Sequence, residues 1–382
     1  MTTVALGEVA LINPRAERPG PNEDVAFVGM ADLSAESGVA GPGVLRPFHE
    51  VSKGYTVFRD EDLLVAKITP CFENGKTGQA KLRRPIGVGS TEFHVVRPNP
   101  GQLDSRFALH FLRQGWIRRA GELRMTGSAG QRRVPAAFLT ELEVPLAPIE
   151  EQRRIAAILD QASELNCTSS SALAATGALG MRAFERAASI STRIVRLADV
   201  ADFYGGSSLP RGEVFTDQPG GYFLLKVSDM NRPGNEIELK TAASWSASPG
   251  SRASTCPAGS VVIPKRGGAI GTNKKRRTTR ASILDPNLMA ISPRIDAISP
   301  AFLFAWFQQF DLSTISSGSS VPQLNKQDLA PLKLPLPSSK EQSKFDLVAA
   351  HVEEQQRRLE VRRNSLLRLF ESLQARAFSG RL

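Results

Sequence analysis

A junction that occurs twice constrains the fold of this 382-residue chain more than any other feature of its sequence. The stretches VPLAPIEEQRRIAAILD (144–160) and LPLPSSKEQSKFDLVAA (334–350) each run from a proline-rich strand or linker into a long helical pattern. Aligned, they share Pro145 and Pro335, Leu146 and Leu336, Glu151 and Glu341, and Gln152 and Gln342. Because the copies lie about half a chain length apart, the sequence predicts two similar units rather than one large core.

The flanks of the junction extend the repeat. VALGEVALINP (4–14) resembles VRLADVADFYG (195–205), and DLLVAKITP (62–70) resembles SVVIPKRGG (260–268). Short apolar runs alternate here with turn sequences rich in Gly, Asn and Pro, which is typical of β-structure. Each half is therefore predicted to contain an entry strand, a β-rich region, the proline junction and a long helix.

Apolar residues in both long helices recur at alternating steps of three and four, the spacing of a coiled-coil seam. A single helix of this length cannot bury such a stripe alone, so we expect the two helices to pack antiparallel on each other. The predicted packing residues are Ile155, Ile158 and Leu165 in the first helix, and Phe345, Val348, Val352, Leu359 and Leu366 in the second. The alternative is that each helix covers only its own β-rich region. Residues 166–180, which include Gly177 and Gly180, are expected to fray or bend.

These patterns predict an α/β (α+β) protein with an internal pseudo-twofold repeat. The predicted boundaries are 1–148 for the first β-rich domain, 149–190 for the central helix, 191–337 for the second domain and 338–382 for the C-terminal helix. A body with pseudo-twofold symmetry suits the binding of two copies of one partner by a single chain.

Net charge is the one compositional outlier. The chain has 48 Lys and Arg against 38 Asp and Glu, a net charge of +10, which favours a polyanionic partner such as nucleic acid. The excess is local, because residues 261–282 contain Lys265, Arg266, Lys274, Lys275, Arg276, Arg277 and Arg280 and no acid. We expect these cations to contact phosphates, since a solvated hairpin rarely needs so many unopposed charges.

Two loops at corresponding positions of the repeat supply the candidate DNA-binding residues. They are Lys67, Thr69, Asn74, Lys76 and Thr77 in the first half, and Lys265, Arg266, Asn273, Lys274, Lys275, Arg276 and Arg277 in the second. Asn74 suits a bidentate contact with adenine and Lys76 a contact with guanine or phosphate, although Asn74–Gly75 equally fits a plain hairpin turn. A second basic patch, open to DNA or to a partner subunit, comprises Arg113, Arg118, Arg119, Arg124, Arg132 and Arg133.

The sequence gives little support for an enzymatic site. No Gly-rich phosphate loop ending in Lys-Ser or Lys-Thr occurs, and Asp229, Glu238 and Lys240 match a nuclease site only faintly. The three cysteines and four histidines are too scattered to predict a metal site or a disulfide framework, and no cofactor is expected. Without an apolar span of membrane length or a signal-like start, the sequence predicts a cytoplasmic protein with no membrane partner.

Several phrases of the sequence resemble the specificity subunit of type I restriction–modification systems. PLAPIEEQRRIAAIL (145–159) is similar to the opening of that family's central helical region, and DLLVAKITPCFENGKTG (62–78) with GSTEFHVVRP (89–98) is similar to one type of its recognition domain. Further matching phrases are GSAGQRRVPAAFL (127–139), GSSVPQLNKQDL (318–329) and LQARAFSGRL (373–382). The resemblance covers the whole chain.

The resemblance implies a reader of DNA without enzymatic activity of its own. Two target-recognition domains would each bind one half of a split double-stranded site, with the paired helices as a spacer of fixed length. Two modification (methyltransferase) subunits and the restriction subunits would assemble around this core. The main alternative is a nuclease or methyltransferase that carries a duplicated DNA-binding region, and a third is a coiled-coil scaffold that makes no DNA contact.

Overall fold

The computed structural model of the chain describes residues 2–15, 17–128, 130–315 and 322–382. These residues form two compact units. Unit 1 comprises Met1–Leu173 with Leu359–Leu382, and unit 2 comprises Ala174–Arg358. Each unit therefore contains one half of the sequence repeat together with segments of both long helices.

Unit 1 holds the first set of strands and helices. Its strands are β1 (Thr2–Ala5), β2 (Ala10–Ile12), β3 (Asp24–Val28), β4 (Val39–Ala40), β5 (Val44–Pro47), β6 (Thr56–Arg59), β7 (Leu63–Ala66), β8 (Thr77–Ala80), β9 (Ile86–Gly89), β10 (Phe93–Pro98) and β11 (Glu143–Leu146). Its helices are α1 (Leu6–Val9), α2 (Phe48–Val51), α3 (Ser105–Leu112), α4 (Gly115–Arg124), α5 (Ala136–Thr140) and the first part of α6 (Ile149–Ser189), with a 3-10 turn at Met30–Asp32.

Unit 2 repeats this order. Its strands are β12 (Ile194–Arg196), β13 (Ala201–Gly205), β14 (Glu213–Val214), β15 (Tyr222–Leu225), β16 (Glu238–Leu239), β17 (Ser244–Ser246), β18 (Thr255–Cys256), β19 (Val261–Pro264), β20 (Arg276–Thr278), β21 (Ser282–Leu284), β22 (Leu288–Pro293) and β23 (Lys333–Pro335). Its helices are the last part of α6, α7 (Leu197–Val200), α8 (Pro300–Gln308), α9 (Lys326–Leu329) and the first part of α10 (Ser339–Phe378), whose last part belongs to unit 1. Its 3-10 segments are Val227–Asn231, Gly267–Thr272 and Leu312–Ile315.

The sheets of the two units correspond, except that the second sheet of unit 2 has one additional strand, β14. Unit 1 has a five-stranded sheet of order β2-β10-β7-β8-β4, a four-stranded sheet β5-β3-β9-β6 and the pair β1-β11. Unit 2 has β13-β22-β19-β20-β16, a second sheet β14-β17-β15-β21-β18 and the pair β12-β23. The parallel pairs also correspond, since β3/β9 and β4/β8 in unit 1 match β15/β21 and β16/β20 in unit 2. This shared topology confirms the predicted internal repeat of mixed α/β character.

The core of each unit follows from apolar strands and capped helices. β7 (LLVA) and β19 (VVIP) are buried at every position, as expected for apolar runs inside a sheet. α3 begins after Asp104, whose carboxylate accepts hydrogen bonds from the backbone N–H groups of Arg106 and Phe107. α8 begins after Ser299, whose hydroxyl accepts from the Phe302 N–H. These caps satisfy helix N–H groups that would otherwise lack partners, and fix the start of each buried helix.

The repeated glutamine of the junction is buried and fully hydrogen-bonded in unit 1. Gln152 Nε2 donates to the carbonyl oxygens of Gln102 and Ala147, each 2.9 Å away. Its Oε1 accepts from the Asp104 N–H at 2.9 Å. The side chain therefore joins the first turn of α6 to the residue that caps α3.

Unit 2 contains the same arrangement around Gln342. Its Nε2 donates to the carbonyl oxygens of Ala297 at 3.2 Å and Pro337 at 3.0 Å, and its Oε1 accepts from the Ser299 N–H at 2.7 Å. Ser299 is again the residue that caps the preceding helix. The junction occurs twice in the sequence because each unit uses a buried glutamine to fix a long helix onto its domain.

Segments of α6 and α10 pack against each other within each unit. In unit 2 the rings of Phe184 and Phe345 have centroids 6.1 Å apart. In unit 1 Arg154, near the start of α6, donates to the carbonyl oxygen of Leu382 at 2.9 Å. The start of α6 thus lies beside the chain end that follows α10, and the end of α6 lies beside the start of α10, which confirms the antiparallel pairing.

The same helix segments also cover the domain cores. Ile155 and Leu159 of α6 and Ala377 of α10 belong to the apolar cluster of unit 1 that includes Phe107. In unit 2 the Phe184 ring lies 4.9 Å from that of Phe302 on α8. The two arrangements that were alternatives from the sequence therefore occur together: the long helices pack on each other and also cover the domain cores.

The apolar seam differs in phase from the predicted one. Of the predicted packing residues, Ile155, Phe345 and Val352 are buried and Ile158, Leu359 and Leu366 are half-buried. Leu165 and Val348 are 46% and 41% exposed, so the prediction that these two pack in the seam is wrong. The inward positions step by four and then three, as at Phe345, Ala349 and Val352. The predicted positions stepped by three and then four. They therefore placed Val348 in the seam, where the structure has the smaller neighbouring residue Ala349.

The glycines of α6 allow a close approach of the two helices. α6 is helical through residues 166–180, so the predicted fraying is not observed. A Cβ atom on Gly180 would lie 3.2 Å from Val352 Cγ1, and one on Gly177 would lie 3.3 Å from Gln356 Nε2. The two glycines therefore fit α10 closely, at the cost of the helix propensity that they lack.

Candidate nucleic-acid interface

A basic groove opens on unit 1 where the chain leaves β2. Its volume is about 540 Å³, and it is lined by Asn13, Pro14, Arg15, Arg18, Tyr55, Thr56, Val57, Lys67, Phe93 and Val95. Three of these side chains, Arg15, Arg18 and Lys67, are cationic and none is acidic. Within the part of the chain that the structure describes, none of the three forms an ion pair. A concave surface with unopposed positive charge attracts a polyanion.

The turn at Asn13 shapes this groove. Asn13 has a positive φ of 52°, a conformation that asparagine tolerates better than most residues. Its N–H donates to the Val95 carbonyl at 2.7 Å, and its Oδ1 accepts from the Val95 N–H at 3.0 Å. The turn therefore ends β2 against β10 and brings Pro14, Arg15 and Arg18 to the groove.

His94 supports the turn from inside the sheet. Its Nε2 lies 2.8 Å from the Val134 carbonyl, and its Nδ1 lies 3.1 Å from Asn13 Nδ2. Burial lowers the pKa of His94, so the ring is neutral near pH 7 and can donate from Nε2 while it accepts at Nδ1. His94 is thus a hydrogen-bonded sheet residue whose role is to hold Asn13.

Lys67 and Lys265 occupy equivalent positions in the two units. The Lys67 N–H donates to the Glu92 carbonyl just before β10, and its carbonyl accepts from the Val134 N–H, both at 2.9 Å. The Lys265 N–H donates to the Asn287 carbonyl just before β22 at 2.6 Å, and its carbonyl accepts from the Leu324 N–H at 2.9 Å. Each lysine follows the central strand of its five-stranded sheet and begins the loop in which DNA-binding residues were predicted.

The first of these loops places its predicted residues in different environments. Asn74 is exposed at a turn whose next residue, Gly75, has a φ of 71°. Thr69 Oγ1 donates to a neighbouring carboxylate at 3.0 Å, and Lys76 Nζ donates to a backbone carbonyl at 2.7 Å. Thr77 is buried within β8, so its side chain is not available to DNA. Asn74 is the exposed member of this set, and Lys67, although half-buried, lines the groove.

The second loop is a 3-10 turn rather than a simple hairpin. Arg266 is exposed, and the turn Gly267–Thr272 follows it and ends at Asn273, which has a φ of 53°. A Cβ atom on Gly268 or Gly271 would meet no atom within 4 Å, so the backbone here is open to a ligand. Lys274, which follows, donates to the side-chain oxygen of Asn231.

The next three cations turn into the domain. Lys275 is only 2% exposed and donates to Asn273 Oδ1 at 2.8 Å, and burial lowers its pKa to about 8. Arg276 is half-buried, and burial lowers its pKa also. Arg277 is 14% exposed at its side chain and bridges Glu238 and Glu353 at 2.7 Å each. Lys275 and Arg277 therefore lack the exposure that a phosphate contact needs, which corrects their assignment from sequence.

The arginine patch of unit 1 is largely paired with acids. Arg124, Arg132 and Arg133 lie 3.7, 3.5 and 2.8 Å from Glu141, Glu73 and Glu92, and Arg118 lies 3.9 Å from Glu122. Arg113 donates to the backbone carbonyls of residues 35 and 36. Within this patch, as far as the structure describes the chain, Arg119 is the one exposed arginine that forms no ion pair. This pairing leaves the groove as the stronger basic feature of unit 1.

Arg15, Arg18 and Tyr55 were missed by the sequence reasoning. Arg15 and Arg18 follow Asn-Pro at the end of a short apolar strand, a signal that marks a turn but not its direction. Tyr55 is 42% exposed, and its ring packs edge-on against Phe27 with centroids 5.1 Å apart. β2 and β7 belong to the five-stranded sheet and β6 to the four-stranded sheet, so only the folding of both sheets brings these residues near Lys67.

Metal-binding clusters and membrane-spanning helices are absent from the described ranges. No cluster of three or more His, Cys, Asp or Glu residues there could hold a metal ion. None of the helices described is long and apolar enough to cross a membrane.

Known proteins with similar sequences come from one family. The family model for the type I restriction modification DNA specificity domain matches residues 1–173 and 192–345. The type I restriction enzyme EcoEI specificity subunit of Escherichia coli is 41% identical over 153 residues, which are 40% of this chain and 26% of that protein. The EcoAI specificity subunit of the same organism is 37% identical over 151 residues, 39% of this chain and 26% of that protein. The matched part of the chain thus spans about a quarter of each relative.

Solved structures with a similar fold extend over the whole chain. The type I restriction–modification S subunit from M. genitalium superposes with a TM-score of 0.59 at 16% identity, covering 99% of this chain and 96% of that one. A chain from a structure of complex assembly and conformational transition of the type I R-M system gives a TM-score of 0.55 at 21% identity, covering 100% and 98%. At these identities the likeness concerns the fold.

Proposed function

Because the chain belongs to the type I restriction modification DNA specificity domain family, we propose that it is the DNA sequence-specificity subunit of a type I restriction–modification complex. In this role it reads a bipartite double-stranded DNA target. The observation that carries the proposal is the duplicated unit, in which Lys67 and Lys265 hold the same backbone position at the start of matching loops. Two related but non-identical readers on one chain suit a site with two different halves.

The four predicted segments receive distinct roles in this proposal. Residues 1–148 and 191–337 are the two target-recognition domains, and residues 149–190 and 338–382 are the helices that connect them and fix the distance between the half-sites. The buried Gln152 and Gln342 support these roles, since each fixes a helix onto its domain without a flexible linker. A rigid attachment is what a spacer of fixed length requires.

DNA contact in the first domain centres on the groove. Arg15, Arg18 and Lys67 contact phosphates, because their charges are unopposed and exposed or half-exposed. Asn13 and Tyr55 line the same groove and can donate to or stack on a base, and Asn74 remains a candidate for a bidentate adenine contact.

DNA contact in the second domain centres on the loop after β19. Lys265, Arg266 and Lys274 contact phosphates, and the open backbone at Gly268 and Gly271 allows DNA to come close. Asn273 holds Lys275 and the loop in place rather than contacting a base. The two domains thus use different side chains, which is consistent with different target sequences.

The partners follow from the same family membership. Two modification subunits, which carry the methyltransferase chemistry, and the restriction subunits bind the chain, which has no catalytic activity alone and acts in the cytoplasm. An enzyme with a duplicated DNA-binding region is the competing function. Turnover by the isolated chain with DNA, S-adenosylmethionine and magnesium would favour that competitor.

The salt dependence of DNA binding tests the proposal. The complex with modification subunits is prepared with the wild-type chain, with a variant carrying Arg15→Gln and Lys67→Gln, and with Lys340→Gln as a control at an exposed position outside the groove. Removal of two phosphate contacts lowers the slope of log K against log salt by about 1.8, at about 0.9 per contact. An unchanged slope in the double variant removes the groove from the interface, and a footprint absent in the wild type favours a scaffold.

A further inference from the structure

We propose, on the basis of the proposed function, that Arg277 is a positioning residue that fixes the second recognition domain to α10. Its ion pairs with Glu238 and Glu353 determine how strictly the protein discriminates between spacer lengths in its DNA target. Arg277 was assigned to DNA from the sequence, but its surroundings give it this different role.

Arg277 lies between a sheet edge and a helix. It is on β20, opposite Glu238 on the parallel edge strand β16. A single nitrogen, Nη2, donates to Glu238 Oε1 and to Glu353 Oε2, each at 2.7 Å. The guanidinium carbon lies 5.7 Å from the centre of the Phe304 ring on α8. One side chain therefore connects the five-stranded sheet, α8 and α10 of unit 2.

The cluster is ionised and geometrically specific. Burial disfavours the charged form of Arg277 and by itself would lower the pKa of the guanidinium. The hydrogen bonds to Glu353 and Glu238 together outweigh this effect and raise that pKa. Burial alone would raise the pKa of Glu238, but the hydrogen bond from Arg277 together with the positive charges of Arg277, Lys240 and Arg357 lowers it. Partly buried ion pairs contribute little net stability but require one arrangement of their groups, since other arrangements leave a buried charge unpaired.

The cluster joins the parts that must be aligned to read DNA. β20 directly follows the loop of Lys265–Lys274, so a shift of this strand moves the loop. Glu353 follows Val352, the residue that packs against Gly180 of α6. The ion pairs therefore connect the proposed DNA contacts of unit 2 to the packed helices rather than to a loop.

Unit 1 makes the equivalent connection with different residues. Gln79 on β8, the counterpart of β20, donates to Ser105 Oγ at 2.9 Å and accepts from Arg106 Nη1 at 3.4 Å. Arg106 and His110 both donate to Asp160 of α6, the latter at 2.7 Å. In both units the strand that follows the loop is thus tied to a long helix by a charged cluster.

The test compares spacer selectivity in neighbouring variants of α10. The wild-type target is first identified by mapping methylated bases in cells that express the chain with its modification subunits. Duplexes with the same half-sites and a spacer that is native, one base pair shorter or one base pair longer are then methylated by purified complexes. The variants are Glu353→Gln, which leaves Arg277 paired with Glu238, and Glu354→Gln, which removes two more exposed ion pairs on the same helix.

The two variants have different expected outcomes. Glu353→Gln lowers the preference for the native spacer over the altered spacers by about tenfold, while the half-site sequences stay the same. Glu354→Gln leaves the preference unchanged. A purely structural role for Glu353 would lower the activity on all spacers equally and leave their ratio as in the wild type, which overturns the inference.

A second variant keeps the inference testable if Glu353→Gln does not fold. Glu353→Asp keeps the charge but withdraws the carboxylate by one methylene, so it loosens the geometry with little loss of stability. It decides the matter if Glu353→Gln does not fold, because an unchanged spacer ratio in Glu353→Asp overturns the inference. A wild-type complex that modifies no bipartite sequence contradicts the proposed function itself, a result distinct from either variant outcome.

Discussion

Replacement of Gln152 by alanine perturbs the junction that the sequence repeats. The substitution removes both donated hydrogen bonds, to the carbonyls of Gln102 and Ala147, and the one accepted from the Asp104 N–H. Because Gln152 is fully buried, no water replaces the lost partners without rearrangement. The first turn of α6 and the start of α3 are both affected.

The magnitude follows from the groups that lose their partners. Each orphaned buried donor or acceptor costs about 1–3 kcal/mol, and three groups are orphaned, one of them an N–H and two of them carbonyls. Allowing for partial relaxation, we expect unit 1 to lose about 3–5 kcal/mol of unfolding free energy. For a unit of this size that corresponds to a fall in Tm of about 10 °C.

Calorimetry combined with hydrogen exchange measures this effect. The calorimetric transition of unit 1 should shift, and amides of α3 should exchange faster while those of α8 remain protected. Gln342→Ala should produce the mirror result in unit 2, because its hydrogen bonds correspond. Glu150→Ala, a change at an exposed residue in the same turn of α6, should cost less than about 0.5 kcal/mol. A cost below about 1 kcal/mol for Gln152→Ala would refute the role assigned to the repeated glutamine.

Two further predictions concern acid stability and the helix seam. Burial alone would raise the pKa of Asp160, but hydrogen bonds from His110 and Arg106 lower it to about 2, below its ordinary 3.8. The ionised carboxylate therefore contributes about 1–2 kcal/mol to the free energy of unfolding. This contribution is present above pH 4 and is lost as the pH falls toward 2. Acid titration of Asp160→Asn should therefore show the stability gap to the wild type closing over that range, and a constant gap contradicts the assignment. Val352→Ala should destabilise unit 2 by about 2 kcal/mol in thermal unfolding, and Val348→Ala by less than about 0.5 kcal/mol. Equal effects at the two valines would contradict the observed seam.

The duplication and the pairing of the helices could be predicted because they depend on residue identity at fixed spacing. The phase of the seam, by contrast, could not be predicted from the sequence. A strictly seven-residue pattern through Phe345 and Val352 is compatible with either Val348 or Ala349 between them. Hydrophobicity favours valine, but the closely packed helices need the smaller alanine inward. The choice depends on the distance between the helices, which no local pattern records.

The candidate site was predictable in position but not in membership. Lys67 and Lys265 were recognised because the repeat aligns them, whereas Lys275 and Arg277 were counted as exposed cations from charge alone. Arg277 finds its acid partners at Glu238 and Glu353, which are distant in sequence. The groove could not be predicted for the same reason. Arg15 and Arg18 follow β2 whereas Lys67 follows β7, and these segments meet only after folding.

Mapping of methylated bases in cells that express the chain with its modification subunits tests the central claim most directly. The account predicts one target made of two specified segments separated by a fixed number of unspecified base pairs. Exchange of residues 191–337 for the corresponding segment of another family member should change one segment of that target and leave the other intact. A continuous target, or a target in which both segments change together, would contradict the account of two independent readers on one chain.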